Sequence, residues 1–450
     1  MYISQDQGVI AVRDSIQSSI GPFYAFMEHR IVYPESVVQA LGDLYKEYNH
    51  AFLPLVRANR EWETDYRFCL SEGSPVNYGV QIDMVGLSRD LLNQFASMDK
   101  DAVREALRRR IFEIENSLAM YQLLENLFAR EGEVSFFKQG FRRALNGIRE
   151  RFGRPIALLA VTKEKYQAMK ESEFGKLNGS VVTDAEVQAL CGFDRFFGPE
   201  EFESYMWGNG GRCEYLLYAR TSDPIEKLKN PDILVDHPIL SEPSLRRVIK
   251  EHSLTFNIDD PDMEIASRIN DTKGYMAPMG LAHLIHTEEE LYSPEFRAHL
   301  SQGGRYLEFS LEASRLSESF CEFLREFGVH PGSVEEGEKA LRFKPAKGTF
   351  GCYGHLSGSL FDRKLRGELR RNLVRRPGGY VVQPEMEIPR MINEAHGNEY
   401  AYIDRNFMAM VDNTPTFIGG FRSFLPTDCI EVRKGRNHGN RNTVWAEIIS

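Results

Sequence analysis

The segment 341–354 combines a strand-borne lysine with a loop of three glycines, and this combination suits phosphate binding. An alternating apolar strand ends at Lys344-Pro345, and glycines follow at positions 348, 351 and 354. Glycine lets the backbone approach a ligand closely and turn its N–H groups toward an anion, while the lysine adds a point charge. The spacing matches neither a Walker P-loop nor the dinucleotide Gly-x-Gly-x-x-Gly pattern. For this segment alone, a tight hairpin turn stays an open alternative.

Polar residues follow the glycine loop on further predicted strands. A helix is expected at 363–374, and strands are expected at 380–390, 401–411 and 416–422. Arg405 and Arg422 fall on two of these strands. Paired arginine forks bind carboxylate and phosphate groups, although a strand arginine that pairs with a carboxylate is the alternative.

The elements that must position these residues divide the chain into four expected segments. They are a helical region at 1–152, an α/β domain at 153–260, a mostly helical segment at 261–330 and a nucleotide-binding and catalytic region at 331–450.

Three local patterns support that division. Strands at 66–70 and 77–85 predict a β-hairpin near 66–85 within the first segment. Apolar residues recur at steps of three and four over 99–131, which predicts one long helix. The apolar run at 156–161 is typical of a buried parallel strand. His283 and His286 would share one helical turn and could bind a metal, but no third ligand is evident.

Composition excludes several classes of function. The chain has 450 residues and a net charge of −10, and a protein that wraps nucleic acid is more often basic. No run of about 18 apolar residues predicts a membrane span, and the N-terminus does not have the pattern of a secretory signal. The six cysteines are scattered without a Cys-x-x-Cys pair. They favour a reducing, cytoplasmic location over a zinc site or a disulfide framework.

The order of the motifs resembles the ATP-grasp superfamily. The matching pieces are Phe343-Lys344-Pro345, Gly348-Thr349-Phe350-Gly351, Val382-Gln383-Pro384-Glu385, Asp404-Arg405 and Gly419-Gly420-Phe421-Arg422. The resemblance implies an α+β fold in which two subdomains grip ATP, with a preceding α/β domain. It implies that ATP is bound by Lys344, Gly348, Thr349, Phe350, Gly351, Gln383, Pro384 and Glu385. It also implies that Arg405 and Arg422 hold the transferred phosphate and the substrate carboxylate. Asn442, in a polar loop near the end, is a further candidate for contact with ATP.

The expected magnesium strand is displaced in this chain. Most ATP-grasp enzymes end on a strand with Glu-x-Asn, whereas this ending is more similar to the circularly permuted branch related to glutathionylspermidine synthase. In that branch the metal-binding strand precedes the central domain. Gln81-Ile82-Asp83 stands where Glu-x-Asn would stand, with the acid and the amide exchanged. The resemblance therefore implies Mg²⁺ on Asp83 and Gln81, whose oxygens suit that ion. A plain polar strand is the alternative, and the competing acids are Asp404, Glu72 and Glu447.

The resemblance implies an ATP-dependent ligase that joins a carboxylate to an amine through an acyl phosphate and releases ADP and phosphate. Amino acids or peptides are the candidate substrates, and neither nucleic acid nor a membrane is an expected partner. Two alternatives stay open. Asp404-Arg405-Asn406 is superficially similar to a kinase catalytic loop, which would indicate a phosphotransferase. The altered Gln81-x-Asp83 motif would also fit a non-catalytic binding or partner subunit that kept the fold. A homodimer is a further open alternative.

Overall fold

The computed structural model describes part of the chain. The described residues are 2–3, 9–11, 25–27, 30–57, 79–115, 136, 139–140, 143, 146, 156–160, 195–197, 215–219, 255–256, 273–304, 315–329, 341–346, 356–360, 362–375, 378–393, 399–411, 414–426 and 444–450. Within these residues, none of the helices combines the length and the apolar character needed to cross a membrane.

The described strands and helices are as follows, in chain order. The strands are β1 (Tyr2–Ile3), β2 (Val9–Ala11), β3 (Ala25–Met27), β4 (Ile31–Val32), β5 (Gly79–Val85), β6 (Ile111–Glu115), β7 (Ile156–Ala160), β8 (Arg195–Phe197), β9 (Tyr215–Ala219), β10 (Thr255–Phe256), β11 (His283–Ile285), β12 (Leu341–Pro345), β13 (Leu356–Gly358), β14 (Tyr380–Pro384), β15 (Arg390–Asn393), β16 (Glu399–Val411), β17 (Thr414–Pro426) and β18 (Val444–Ile449). The α-helices are α1 (Glu35–Arg57), α2 (Arg89–Phe95), α3 (Lys100–Arg108), α4 (Pro294–Ser301), α5 (Glu318–Glu326) and α6 (Arg363–Arg375).

The chain forms two compact units, and both mix helices with sheets, so the α+β class expected from the sequence is confirmed. Unit 1 contains Met1–Leu107, Ile111–Asn270 and Ile388–Ser450, and unit 2 contains Arg108–Arg110 and Asp271–Glu387. This grouping differs from the division into four consecutive segments that the sequence predicts. The physical reason is that strands from the first 115 residues pair with strands from the last 63 in one sheet of unit 1.

The main sheet of unit 1 has ten strands among the described residues, and β16 lies near its centre. One edge of β16 pairs with β17 over its whole length, and the other edge is shared by β15 and β5. The β17 strand continues the sheet to β18. Helix α1 covers one face. Its apolar residues Val37, Leu41, Leu44 and Tyr48 recur at helical spacing and are buried.

One expectation for the N-terminal segment is wrong. The helix expected over 99–131 ends at Arg108, and the chain continues as strand β6 at Ile111–Glu115. The alternation in Ile111-Phe-Glu-Ile-Glu115 has the period of a strand, and the neighbouring β5 provides the edge that β6 needs. The second strand of the expected 66–85 hairpin is described from Gly79 onward as β5, and its residues Gln81–Met84 pair with β16 on one edge and with β6 on the other. The other arm of that hairpin, and Glu72, lie outside the described residues.

A second sheet in unit 1 contains β10, β9, β7 and β8 in that order, and its three described strand pairs are parallel. The expected parallel strand at 156–161 is therefore confirmed as β7. Its run of Ile, Ala and Leu has no polar alternation, which is typical of strands in parallel sheets.

Unit 2 is built on an antiparallel sheet in the order β11, β14, β12, β13. Its hydrophobic core contains Leu341 and Phe343 of β12, Tyr380 and Val382 of β14, and apolar residues of α5 and α6 such as Phe320 and Leu369. Helix α6 confirms the helix expected at 363–374, and β12 with β13 confirms the expected hairpin around the glycine loop. The helical turn expected to hold His283 and His286 is wrong, because His283–Ile285 is a strand paired with β14.

The close approach of Gly86 to Tyr402 generates a stability prediction. A Cβ built on Gly86 falls 2.8 Å from the carbonyl oxygen of Tyr402 and 2.2 Å from its ring atom Cδ2. Backbone cannot move aside cheaply, so Gly86→Ala is expected to lower the free energy of unfolding by about 1–3 kcal/mol in urea titrations. Gly42→Ala is the control, because its nearest contact is an ordinary 3.5 Å to Pro415. Equal stability of the two variants would contradict this close approach.

Candidate functional site

In unit 2, Lys344 and Gln383 lie on the face of the sheet that points away from the hydrophobic core. Phe343 and Val382 point into the core, so their neighbours along each strand point to the opposite face. Lys344 is paired with Val381, and Gln383 is paired with Arg342. Lys344 and Gln383 are each 2% exposed. The side-chain amide of Gln383 donates a 2.8 Å hydrogen bond to the carbonyl oxygen of Leu281, which fixes its direction.

The other residues expected to contact ATP have different outcomes. Pro384 ends β14 opposite Leu341, and Glu385 follows it as a half-buried residue. The remaining candidates lie outside the described residues: Gly348, Thr349, Phe350, Gly351 and Asn442. The structure therefore places the strand that leads into the glycine loop but describes no geometry for the loop.

Lys273 is a candidate that sequence reasoning missed. It begins the 3-10 helix Lys273–Met276 and is only 7% exposed. Its backbone N–H donates a 2.8 Å hydrogen bond to the carbonyl oxygen of Ala346, two residues after Lys344. The described part of unit 2 thus carries two lysines with little solvent exposure near the start of the glycine loop. The sequence around Lys273 has no periodic pattern or glycine motif, so its position depends on this tertiary contact.

In unit 1, strand pairing brings Gln81, Asp83 and Arg405 onto one face of the main sheet, named here the Asp83 face. Asp83 lies opposite Arg405, and Gln81 lies opposite Phe407. Directly opposed residues of antiparallel strands share a face, as do residues two apart on one strand. The Arg405 Nη1 atom is 3.7 Å from Asp83 Oδ2, and the guanidinium lies 5.7 Å from the centre of the Phe421 ring. The Arg405 side chain is 3% exposed.

Gln81 has the most unusual environment on the Asp83 face. It is fully buried, and its Nε2 donates a 2.5 Å hydrogen bond to Asp83 Oδ1. Its Oε1 accepts no hydrogen bond from any described residue. A buried acceptor without a donor costs about 1–3 kcal/mol, so such an oxygen often serves a ligand. An amide oxygen beside a carboxylate is a donor set that fits Mg²⁺.

Glu113 is a further residue that the sequence alone does not indicate, because the apolar spacing over 99–131 predicts a helix. Strand β6 places Glu113 directly opposite Asp83 on the edge of β5 away from β16, and Glu115 opposite Gln81. The register thus adds two acidic positions, 113 and 115, to the Asp83 face. The alternation of apolar and acidic residues over 112–115 is the sequence pattern that indicates a strand here. Among the described residues, however, no three His, Cys, Asp or Glu side chains form a metal-binding group.

Asp404 and Arg422 form a buried ion pair on the opposite face of the main sheet. Arg422 Nε is 2.5 Å from Asp404 Oδ1, and Arg422 Nη2 is 2.7 Å from Oδ2. Asp404 Oδ2 also accepts hydrogen bonds from the Tyr33 hydroxyl at 2.8 Å and from the Leu87 N–H at 2.9 Å. Arg422 Nη2 donates to the Leu87 carbonyl at 2.6 Å. The pair therefore forms hydrogen bonds with both the backbone N–H and the backbone carbonyl of Leu87.

These contacts assign Asp404 and Arg422 a structural role in the described arrangement. Both carboxylate oxygens of Asp404 accept hydrogen bonds within the protein, and its side chain is 0% exposed. The Arg422 side chain is 1% exposed, and its Nε and Nη2 are used inside the core. Asp404 is thus not oriented to bind a metal, and Arg422 is not presented to a substrate. Arg405 lies on the other face, where its Nη1 atom is 3.7 Å from Asp83 Oδ2.

Protonation supports the same assignment. Burial raises the pKa of the Tyr33 hydroxyl well above its usual value, and the Asp404 carboxylate raises it further, so Tyr33 stays a hydrogen-bond donor. For Arg422, burial acts to lower the pKa, but the Asp404 carboxylate outweighs burial and leaves the pKa raised. The Arg422 guanidinium also lies 4.6 Å from the centre of the Tyr402 ring.

Glu447, a competing acid for the metal, is also engaged. It accepts a 2.8 Å hydrogen bond from Arg30 Nε and a 3.2 Å hydrogen bond from the Phe136 N–H.

Comparisons with known proteins add no further assignment. No model of a known protein family matches the chain, and no curated protein matches its sequence.

The buried pair generates a prediction about stability. Asp404→Asn is expected to lower the free energy of unfolding by about 3–5 kcal/mol, because it leaves the Arg422 charge buried without its counter-charge. Chemical unfolding followed by circular dichroism measures the change. Glu399→Gln is the control, since its pair with Arg390 is exposed and worth about 1 kcal/mol or less. A loss at Asp404 no larger than that of the control would contradict the structural role.

Proposed function

We propose that the chain is an ATP-dependent ligase of the ATP-grasp type, which joins a carboxylate to an amine. The observation that carries the proposal is the placement of Lys344. It lies on the strand that leads into the glycine loop, on the face away from the core, with Gln383 on the adjacent strand. Lys273 supports the same assignment, because its backbone is bonded to the residue that follows the Lys344-Pro345 pair.

In this proposal the residues of unit 2 bind the nucleotide. Lys344 and Lys273 neutralise phosphate oxygens, and the glycine loop adds backbone N–H donors. The backbone of 383–385 contacts the adenine ring, while the Gln383 side chain, held by Leu281, fixes the strand. Neutralising the charge of the transferred phosphoryl group and fixing its geometry are the main requirements of phosphoryl transfer.

The residues of unit 1 that suit the chemistry are those of the Asp83 face. Asp83 and Gln81 offer a carboxylate and an orphaned amide oxygen for Mg²⁺. Arg405 has a guanidinium that can hold a carboxylate or phosphate through two parallel hydrogen bonds. Arg422 is left out of this assignment because its donors serve Asp404 and Leu87.

The phosphotransferase alternative is weaker on one observation. Asp404, Arg405 and Asn406 lie inside the long strand β16 rather than in a loop. The Asp404 carboxylate already accepts hydrogen bonds from Arg422, Tyr33 and Leu87, so it is not positioned to take a proton from a substrate hydroxyl. Ligand binding and product analysis separate the remaining alternatives, because a non-catalytic subunit would form no product.

The assignment of Lys344 predicts a change in nucleotide affinity. Lys344→Met is expected to weaken Mg-ATP binding by about tenfold to one hundredfold in calorimetric titrations, because one charge-assisted contact is lost. Lys100→Met is the control, since Lys100 is an exposed lysine that pairs with Asp43. If wild-type protein does not bind Mg-ATP, or if both variants bind it equally well, the nucleotide assignment is wrong. AMP rather than ADP as the product, with acids and amines supplied, would exclude the acyl-phosphate route.

The assignment of Asp83 predicts a change in magnesium affinity. Asp83→Asn is expected to weaken the binding of Mg²⁺ by at least about tenfold in calorimetric titrations, because a carboxylate ligand becomes neutral. Asp90→Asn changes the same charge at an exposed position of α2 and serves as the control. Thermal melting of both variants checks that they are folded. An unchanged Mg²⁺ affinity would remove Asp83 from the metal site.

A further inference from the structure

Helix α6 carries a concentration of positive charge that the proposed ligase activity does not use. Its thirteen residues contain six cations and one acid, Glu368, whereas the chain as a whole has a net charge of −10. The helix is amphipathic: Leu365, Leu369 and Leu373 are buried in the core of unit 2. Packing therefore accounts for one side of the helix and leaves the charged side to be explained.

The exposed residues of α6 form one continuous stripe, named here the basic stripe. Its members are Arg363, Lys364, Gly367, Arg370, Arg371 and Val374. At 3.6 residues per turn these positions occupy about 120° of the helix circumference and extend about 17 Å along the axis. Val374 is 83% exposed, and a Cβ built on Gly367 would meet nothing within 4 Å. The stripe thus presents cations beside an exposed apolar side chain and an open notch.

The protein neutralises only part of this charge. The buried carboxylate of Glu288 binds Arg366 at 3.1 Å and Arg370 at 2.9 Å. Arg363, Lys364 and Arg371 form no ion pair with any described residue. Like charges one turn apart destabilise a helix by a few tenths of a kilocalorie per mole each. Glu288 compensates part of this repulsion, and unit 2 tolerates the remainder, which is typical of a surface kept for binding.

We propose that the basic stripe binds an acidic segment of a partner polypeptide. Arginine predominates in the stripe, and its planar fork matches a carboxylate through two parallel hydrogen bonds. An extended segment of about five residues spans 17 Å at 3.3 Å per residue. The exposed Val374 gives such a segment an apolar contact at one end of the stripe.

The same observations disfavour nucleic acid as the partner. The helix has no Phe, Tyr, Trp or His, so it offers no aromatic ring on which an unpaired base can stack. A long polyanion would also feel the repulsion of a protein with a net charge of −10, whereas a short acidic segment contacts the stripe alone.

The test uses the full chain and a fluorescein-labelled decapeptide of glutamates, with binding measured by fluorescence anisotropy at low and moderate salt. A variant that combines Arg363→Glu, Lys364→Glu and Arg371→Glu is expected to bind the probe at least about tenfold more weakly. Affinity of the wild type is expected to fall as salt rises, because these contacts are exposed. The matching neutral variant, with glutamine at the same three positions, removes the positive charges without reversing them. It is also expected to bind the peptide more weakly than the wild type.

The control variant changes net charge by the same amount elsewhere on unit 2. It combines Arg109→Glu, Arg297→Glu and Arg325→Glu, three exposed arginines outside the stripe. Retained peptide binding by this control supports the proposal, and an equal loss in both triple variants shows non-specific charge attraction and overturns it. A single-stranded RNA decamer or phosphatidylserine vesicles that bind the wild type more tightly than the peptide would overturn it as well. Thermal melting of each variant is compared with that of the wild type to check that it is folded. If the triple glutamate variant does not fold, peptide binding by the triple glutamine variant decides the test.

Discussion

The buried contact between Asp404 and Arg422 is the constraint on which the arrangement of unit 1 depends. The pair joins β16 to β17, and it also holds the peptide N–H and C=O of Leu87 and the hydroxyl of Tyr33. A buried pair of charges is favourable only when every polar atom around it has a partner. This arrangement provides those partners from three separate parts of the chain. Those parts must be in place together before the charges are satisfied, so the pair specifies the fold more than it adds to its stability.

The hydrogen bonds between this pair and Leu87 have a direct consequence for the candidate site. Because Leu87 follows β5 closely, holding its peptide fixes how β5 lies along β16. The resulting register puts Asp83 opposite Arg405 and Gln81 opposite Phe407. A slip by one residue would turn Gln81 and Asp83 to the other face, where the core has no place for them. The structural pair on one face of the sheet thus determines which acids and cations meet on the Asp83 face.

Unit 2 follows a different principle, in which hydrophobic packing alone separates two faces. Apolar residues of β12 and β14 pack on α5 and α6, so the alternate positions Lys344 and Gln383 are left for the opposite face. The same packing buries the leucines of α6 and leaves its cations outward. One hydrophobic core therefore sets apart two groups of polar residues on unit 2: the buried pair Lys344 and Gln383, which we assign to a nucleotide, and the exposed cations of α6, which we assign to an acidic polypeptide.

The amino-acid sequence by itself was enough to predict the strand that carries Lys344, the β12–β13 hairpin, helix α6 and the parallel strand β7, because each depends on a local period or on glycine. It also indicated Asp83 and Arg405 as candidates. It did not separate Arg405 from Arg422, since alternate faces of β16 and β17 acquire opposite environments only when α1 covers one of them. It missed β6, because a strand needs the edge of β5, which is contributed by tertiary pairing. Lys273 was missed for the same reason: its contact with Ala346 joins residues 73 positions apart, and no local pattern encodes such a contact.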